Sequence, residues 1–198
     1  MQFTTATALS FLLSCCLWVV EPRDTTSTLT VPNGWSGSIW GPKQVCPTGY
    51  AQKFSLKVEP YQGIWRDDTS LNGIRLHCSD GTIISSSVGE DGTWSKEESC
   101  KSGFLNLFSL RVSVSEPIQD NTAAENVKFK CTDGTELEGS GHAWGEYGAW
   151  SESCQQGGIC GIQTKVDIVP KHNAVDPTGL QNKVSEVIVF HHIKTSKA

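Results

Sequence analysis

The chain has 198 residues, and its 16 Lys or Arg and 21 Asp or Glu residues give a formal net charge of −5 at pH 7. The basic residues are scattered rather than clustered, which argues against a nucleic-acid partner. Beyond the N-terminal segment, no apolar run approaches the roughly 18 to 20 residues that a membrane-spanning helix needs, so we expect no membrane span.

The N-terminal segment has the pattern of a secretory signal peptide. It has no charged side chain before Glu21, and the stretch from Leu9 to Val20 is mostly apolar. An apolar run of this length is too short to cross a bilayer as a helix. We therefore assign residues 1–24 to a signal peptide, with cleavage between Val20 and Thr26, and residues 25–198 to a single secreted, extracellular domain.

Cysteines that follow this segment enter an oxidising compartment, so disulfides are their first interpretation. Six remain, and they are Cys46, Cys78, Cys100, Cys131, Cys154 and Cys160.

A five-residue strand pattern recurs three times along the chain at a spacing of 54 residues. The copies are Phe54-Ser-Leu-Lys-Val58, Phe108-Ser-Leu-Arg-Val112 and Ile162-Gln-Thr-Lys-Val166. A fixed period whose copies each carry a strand pattern predicts an all-β body with internal pseudo-threefold symmetry, built from three repeats.

A second strand pattern precedes Cys78 and Cys131 in the first two copies. Apolar and basic residues alternate there, which predicts a buried face of Ile74 and Leu76, or of Val127 and Phe129, with Arg75 and Lys128 turned outward. The Ser-Asp-Gly and Thr-Asp-Gly sequences that follow are hairpin signals. Each copy is thus predicted to be strand, polar loop, strand, turn, strand.

The chain begins part-way through a repeat, because the stretch from Gly34 to Trp40 resembles the stretch from Ala143 to Trp150. The N-terminal strand is therefore expected to complete the third sheet, which removes free sheet edges.

Two groups of tryptophans follow from this comparison. The first recurs a few residues before a cysteine and is predicted to pack in the core: Trp40, Trp94 and Trp150. The second lies in loops outside that register and supplies the candidates for stacking against a glycan: Trp35, Trp65 and Trp144.

The cysteine spacing suggests one disulfide within each of the first two copies, Cys46 with Cys78 and Cys100 with Cys131, closing loops of similar length. Among the fifteen pairings that six cysteines allow, the repeat favours this one.

These residues resemble a known family. Phe54-Ser-Leu-Lys-Val-Glu-Pro60, Asp67-Asp-Thr-Ser-Leu-Asn-Gly-Ile-Arg-Leu-His-Cys78 and Asp120-Asn-Thr-Ala-Ala124 are similar to vitelline membrane outer layer protein I and its homologues, from about Leu29 to Leu180. The resemblance implies a β-prism of three Greek-key sheets around a shared core. It also implies an extracellular protein of the egg's vitelline membrane or of other secretions, with a chitooligosaccharide-related activity in the avian member and an architecture similar to jacalin-type lectins.

The third copy departs from the family pattern. Family members end in a pair of cysteines, whereas the eleven-residue step from Asp176 lands on Val187 and the chain continues to Phe190-His-His192. Cys154 and Cys160 therefore lack their expected partners. Three arrangements are open for these two cysteines. They bridge each other, they remain free or pair between molecules, or they form a zinc site with His191 and His192.

Signatures of the common hydrolase, nucleotide and redox sites are absent from the sequence, and we expect no cofactor and no metal. The recurring acids are Asp67, Asp68, Asp120 and Asp176. Glycoside chemistry needs two carboxylates at a fixed separation. An Asp before Thr in a loop more commonly sets a turn, and repetition in all three copies is typical of fold maintenance, so we assign Asp67, Asp120 and Asp176 to structural turns.

Three functions remain open. The first is a structural component of an extracellular coat or mucosal secretion, in contact with matrix or egg-coat proteins. The others are a lectin-like glycan binder that uses the loop tryptophans and a weak chitooligosaccharide-transferring enzyme.

Overall fold

A computed structural model describes residues 27–34, 39–61, 70–113, 123–170 and 180–192. Within these ranges the chain forms fourteen strands in three antiparallel sheets. In chain order the strands are β1 (Ser27–Leu29), β2 (Ile39–Trp40), β3 (Gln44–Val45), β4 (Ala51–Val58), β5 (Leu71–Cys78), β6 (Ile83–Ser85), β7 (Thr93–Trp94), β8 (Glu98–Ser99), β9 (Leu105–Ser113), β10 (Ala123–Cys131), β11 (Glu136–Glu138), β12 (Glu146–Tyr147), β13 (Ile159–Pro170) and β14 (Leu180–His191).

Each sheet is built on one long hairpin with short strands at both edges. Sheet 1 contains β4 and β5, with β6 beside β5 and with β7 and β8 beside β4. Sheet 2 contains β9 and β10 between β12 and β11. Sheet 3 contains β13 and β14, and its edges are β1, β2 and β3 from the start of the described chain. The prediction that the N-terminal strand completes the third sheet is confirmed.

The repeat spacing is preserved in the pairing of the hairpins. Three equivalent pairs lie opposite each other, and all six side chains are fully buried: Phe54 with Leu76, Phe108 with Phe129, and Ile162 with Val189. Strands β5, β10 and β14 contact one another, so the core lies between the sheets. Burying these apolar side chains provides the main driving force for folding.

The predicted alternation is also confirmed. Ile74 and Val127 are buried, whereas Arg75 and Lys128 are partly exposed on the outer faces of their sheets. The Arg75 guanidinium lies 3.6 Å from the centre of the Trp94 ring. These outer faces are therefore covered by cations stacked on aromatic rings.

The prediction that Trp40, Trp94 and Trp150 pack in the core is wrong. Trp40 is 36% exposed, and the other two are partly exposed. Phenylalanines and aliphatic side chains of the hairpins already fill the interior. The strand register also shows that Trp150 is not the equivalent of Trp94. Trp94 lies opposite Lys57 in sheet 1, and the residue opposite the equivalent Arg111 in sheet 2 is Tyr147.

The two disulfides cross the seams, by which we mean the boundaries between neighbouring sheets. Cys46 follows β3 in sheet 3 and bonds to Cys78 in sheet 1. Cys100 follows β8 in sheet 1 and bonds to Cys131 in sheet 2. Each disulfide thus links adjacent sheets rather than strands of one sheet.

At the seam between sheets 2 and 3, a histidine takes the place of the second cysteine. His191 lies opposite Ile159 in β13, as Cys78 lies opposite Ala51 in β4. The expectation that Val187 holds this position is therefore wrong. Strands β13 and β14 have 12 residues each, against 8 in β4 and β5, so a fixed eleven-residue step stops short of the equivalent position.

Candidate functional site

The predicted glycan-stacking tryptophans divide into one that the structure describes and two that it does not. Trp144 lies between β11 and β12 and is 43% exposed. Trp35 and Trp65 lie outside the described residues, as do the predicted turn residues Asp67, Asp120 and Asp176. The candidate site therefore develops around Trp144.

Trp144 belongs to a cluster of three rings that we call the aromatic corner, formed by Tyr61, His142 and Trp144. The imidazole of His142 stacks on the Trp144 indole, with centroids 4.4 Å apart and an interplanar angle of 9°. Tyr61 meets the indole edge-on, at 5.4 Å and 84°. Tyr61 is 53% exposed. Tyr61 and Trp144 thus form one continuous exposed aromatic surface, which makes the corner a candidate binding surface.

Backbone groups from both neighbouring sheets fix His142 in place. Its Nε2 lies 2.8 Å from the carbonyl oxygen of Glu59, which follows β4 in sheet 1. Because a carbonyl can only accept, Nε2 carries the hydrogen, and Nδ1 of the neutral ring is left as an acceptor. The His142 backbone N–H donates to the Glu125 carbonyl oxygen in β10 at 3.0 Å. The corner is thus anchored across the seam between sheets 1 and 2.

Beneath the corner, the buried carboxylate of Glu125 strengthens the same seam. Glu125 is 3% exposed and accepts hydrogen bonds from the hydroxyls of Ser70, in sheet 1's connection to β5, and Ser113 in β9. Ser70 has a φ of 60°, a left-handed conformation that a serine rarely adopts. The Glu125 bond gives this strained residue a fixed position.

A shallow cleft of about 310 Å³ adjoins the corner along the seam. We call it the seam cleft, and it is lined by Val58, Pro60, Thr93, Ser95, Ser140, Gly141 and His142. His142 belongs to both the cleft and the corner, and Pro60 directly precedes Tyr61. The side chains of Thr93 and Ser140 are exposed and supply hydroxyl groups. The wall thus combines apolar groups with hydroxyl and imidazole groups that can form hydrogen bonds to a ligand.

The corner does not repeat in sheet 1. The backbone N–H of Gly89 donates to the carbonyl oxygen of Asn72, the positional equivalent of the His142 bond to Glu125. Gly89 therefore takes the place of His142, and Asp91 that of Trp144. A feature present at one seam and replaced at another is a better functional candidate than one required by the fold.

Sequence reasoning missed two of the three corner residues. Tyr61 carried no signal, and His142 had no partner at ligand spacing. The bond from His142 to Glu59 joins residues 83 positions apart in different copies. Only the packing of sheets 1 and 2 brings them together.

A second cleft, of about 380 Å³, lies on the outer face of sheet 1 and contains Lys53, His77 and Glu97. His77 Nδ1 lies 3.4 Å from Glu97, and Nε2 lies 3.4 Å from the Ser55 hydroxyl. Burial lowers the pKa of His77, which favours the neutral ring. Ser55, His77 and Glu97 are thus arranged in the order of a serine–histidine–carboxylate catalytic triad. Ser55 is only 3% exposed, however, so a substrate could not reach its hydroxyl. Its equivalent Ser109 donates to the Gly148 carbonyl, so we interpret Ser55 as structural.

Comparison with known proteins identifies the family. A family model described as vitelline membrane outer layer protein I matches residues 27–185. The chain belongs to this family. Within it, the chain is 47% identical over 149 residues to the human vitelline membrane outer layer protein 1 homolog, covering 71% of this chain and 73% of the relative. The mouse homolog is 48% identical over 155 residues, which cover 74% of this chain and 76% of the relative.

Two solved lectin structures have the same architecture as this chain. Calystegia sepium agglutinin superimposes with a TM-score of 0.54 at 13% identity, over 84% of this chain and 96% of the lectin. A Calsepa lectin in complex with a biantennary N-glycan superimposes with a TM-score of 0.53 at 14% identity. The superposition covers 87% of this chain and 99% of the lectin. At this identity the likeness shows the fold alone, which is a β-prism of three Greek-key sheets with internal pseudo-threefold symmetry.

In this member of the vitelline membrane outer layer protein I family, Cys154 and Cys160 are thiols beside the seam of His191. The Cys154 thiol donates to the Asn106 carbonyl oxygen at 3.0 Å. Burial, with a smaller effect of Cys160, raises the pKa of Cys154 to about 12, which keeps it protonated and unreactive. No group of three or more metal-binding side chains occurs among the described residues. The structure does not form the predicted mutual bridge, and the oxidation state of these two cysteines in the folded protein stays a prediction.

No helix among the described residues is long and apolar enough to cross a lipid bilayer.

Proposed function

We propose that this protein is secreted and serves as a structural component of an extracellular coat or mucosal secretion, of the vitelline-membrane outer-layer type. The observation that carries this proposal is the pair of disulfides between sheets. Such bonds form and persist in oxidising compartments, and they suit a protein that must stay folded outside the cell. The family relationship supports the same interpretation.

Secretion is tested by expressing the full chain in cultured animal cells and comparing the medium with the cell lysate. We expect the protein in the medium, with its N-terminus between residues 21 and 26 by mass spectrometry. A variant that lacks residues 1–24 is the control and should stay in the cells. Retention of the full chain inside cells, with reduced cysteines, would contradict the proposal.

A second candidate, glycan binding, is favoured by the aromatic corner. The Calsepa lectin was solved with an N-glycan, but that ligand belongs to that protein. For this chain the support is local: Tyr61 and Trp144 expose apolar ring surface beside the hydroxyl groups of the seam cleft. Aromatic surface next to hydrogen-bonding groups suits a sugar, which has both apolar C–H faces and hydroxyl groups. Glycans of a coat or secretion are the corresponding partners.

Glycan binding is tested on an array of extracellular glycans with the folded protein and two variants. Trp144→Ala should weaken binding by about tenfold, because it removes one of the two exposed rings. Trp40→Ala is the matched control, because Trp40 is also an exposed tryptophan but lies on the outer face of sheet 3 over Lys165. Equal loss in both variants, or no binding by the wild type at millimolar sugar, would eliminate this candidate.

The transferase alternative has less support. Glycoside transfer requires two carboxylates at a fixed separation. The side chains that line the described seam cleft are apolar, hydroxyl or imidazole groups, and the recurring aspartates lie outside the described residues. We therefore propose that this site binds glycans and does not catalyse glycoside transfer. Incubation with N-acetylglucosamine oligomers should produce no new oligomer.

A further inference from the structure

The seam cleft and the aromatic corner are adjacent but chemically different, and this difference suggests two subsites. The corner offers ring surface from Tyr61 and Trp144. The cleft offers the exposed hydroxyls of Thr93 and Ser140, whereas the Ser95 hydroxyl already accepts from the Leu56 N–H and donates to the Lys96 carbonyl oxygen. His142 connects the two parts.

The size of the cleft limits what it can accept. Its volume of about 310 Å³ lies at the lower end of the range for small-ligand pockets. The cleft therefore suits one sugar ring rather than a branched chain. A second ring of the same ligand would lie against the corner.

Charge further limits the ligand. Each described lining residue of the cleft is formally neutral when His142 is neutral. A ligand with a carboxylate or sulfate would lose its hydration there without gaining a charged Lys or Arg partner among the described lining residues.

We propose that the site binds two successive pyranose rings of a neutral oligosaccharide, one against Tyr61 and Trp144 and the next in the seam cleft. The inference rests on the glycan binding proposed above and adds ligand length and charge. The bond to Glu59 uses Nε2 of His142, so Nδ1 is the ring nitrogen left to interact with a sugar hydroxyl between the two rings.

The dependence of affinity on the number of sugar rings is measured by calorimetry with the ligand series from glucose to cellotetraose. A glycan array of neutral and acidic oligosaccharides is tested in parallel. Affinity should rise from one ring to two and then stay level. Ser140→Trp should fill the cleft and remove the gain from the second ring. Trp144→Ala should weaken binding of every length by about tenfold. Both positions are exposed, so both variants are expected to fold.

Charge is measured with lacto-N-tetraose and its singly sialylated derivative, at low and high salt. We expect the neutral sugar to bind at least as tightly, with little dependence on salt. Preference for the sialylated sugar, or a single ring that binds as tightly as two, would overturn this inference and leave glycan binding intact. No binding of any array glycan at millimolar concentration would instead overturn the proposed glycan binding itself.

Discussion

Asp80 and Asp133 show how single residues fix the turns at the disulfide end of the molecule. Asp80 accepts hydrogen bonds from the backbone N–H groups of Thr48 and Thr82. Asp133 accepts the equivalent bonds from Ser102 and Thr135. These bonds lower the pKa of each carboxyl to about 2, with the bond from Thr82 or Thr135 as the largest cause. Each aspartate ties its hairpin turn to the connection that arrives from the neighbouring sheet, at Thr48 or at Ser102.

Because the folded-state pKa is depressed, this stabilisation is present above the ordinary aspartate pKa of about 4 and is lost as the pH falls through about 2. Asp133→Asn should lower the urea midpoint at pH 5 to 7. The difference from the wild type should shrink to zero near pH 2. Urea titrations across this range measure it, with the exposed Glu152→Gln as control. A constant difference at all pH values would contradict the assignment.

At the scale of elements, the short edge strands depend on close contacts with the long hairpins. Gly145, just before β12, has a φ of 69°, and an added Cβ would overlap the Val112 carbonyl in β9. Gly92, before β7, has the same relation to Val58 in β4. These glycines let β7 and β12 pair with their hairpins. Gly145 also fixes the position of its neighbour Trp144.

Gly145→Ala should therefore cost about 2 to 4 kcal/mol of unfolding free energy, from the left-handed backbone and the overlap together. Gly134→Ala is the matched control, because Gly134 has a φ of 86° but nothing lies near its added Cβ. That variant should lose only roughly 1 kcal/mol. Chemical denaturation followed by tryptophan fluorescence measures both. Equal losses would show that the overlap with Val112 is not significant.

The elements also show what the sequence can and cannot predict. Local alternation before Cys78 and Cys131 was enough to predict the hairpins and their buried faces, since strand pattern is a property of neighbouring residues. The aromatic corner was not predictable, because Tyr61 and His142 come from different copies. The position of His191 was missed because β13 and β14 are longer than their counterparts, and a fixed step cannot register a change in strand length.

At the scale of the whole molecule, two of the three seams carry a disulfide at the end of the hairpins. The third seam, between sheets 2 and 3, places the Cys154 segment beside His191, whose ring accepts the Gln155 N–H at 3.3 Å. One neutral hydrogen bond contributes about 1 kcal/mol, whereas a disulfide contributes about 3 to 4 kcal/mol. Among the described residues, sheet 3 is thus joined by a disulfide to sheet 1 and by packing and hydrogen bonds to sheet 2.

His191→Cys should restore the missing bond by pairing with Cys154. We expect a gain of about 3 to 4 kcal/mol and a higher melting temperature under non-reducing conditions. Peptide mapping would identify the new bridge. The double variant Cys154→Ser with His191→Cys is the control and should show no gain. A bridge from residue 191 to Cys160 instead would contradict the equivalence of His191 with Cys78.

Hydrogen exchange should show the same asymmetry in the wild type. Amides of β13 and β14 are expected to exchange faster than those of β4, β5, β9 and β10, because sheet 3 lacks one covalent link. Mass spectrometry of peptides after timed labelling measures the rates. Equal protection in all three sheets would show that packing alone compensates for the missing disulfide.

The completion of sheet 3 by β1, β2 and β3 has a consequence for biosynthesis. Strands β1, β2 and β3 are synthesised first, but they pair with β13 and β14, which are synthesised last. Sheet 2, which is continuous in sequence, can assemble while the nascent chain is still being extended. The edge strands of sheet 3 stay unpaired until His191 has emerged from the ribosome, which raises the contact order of the fold and leaves strand edges exposed during synthesis. Exposure of unpaired edges, and with it the risk of aggregation, therefore lasts until the end of synthesis.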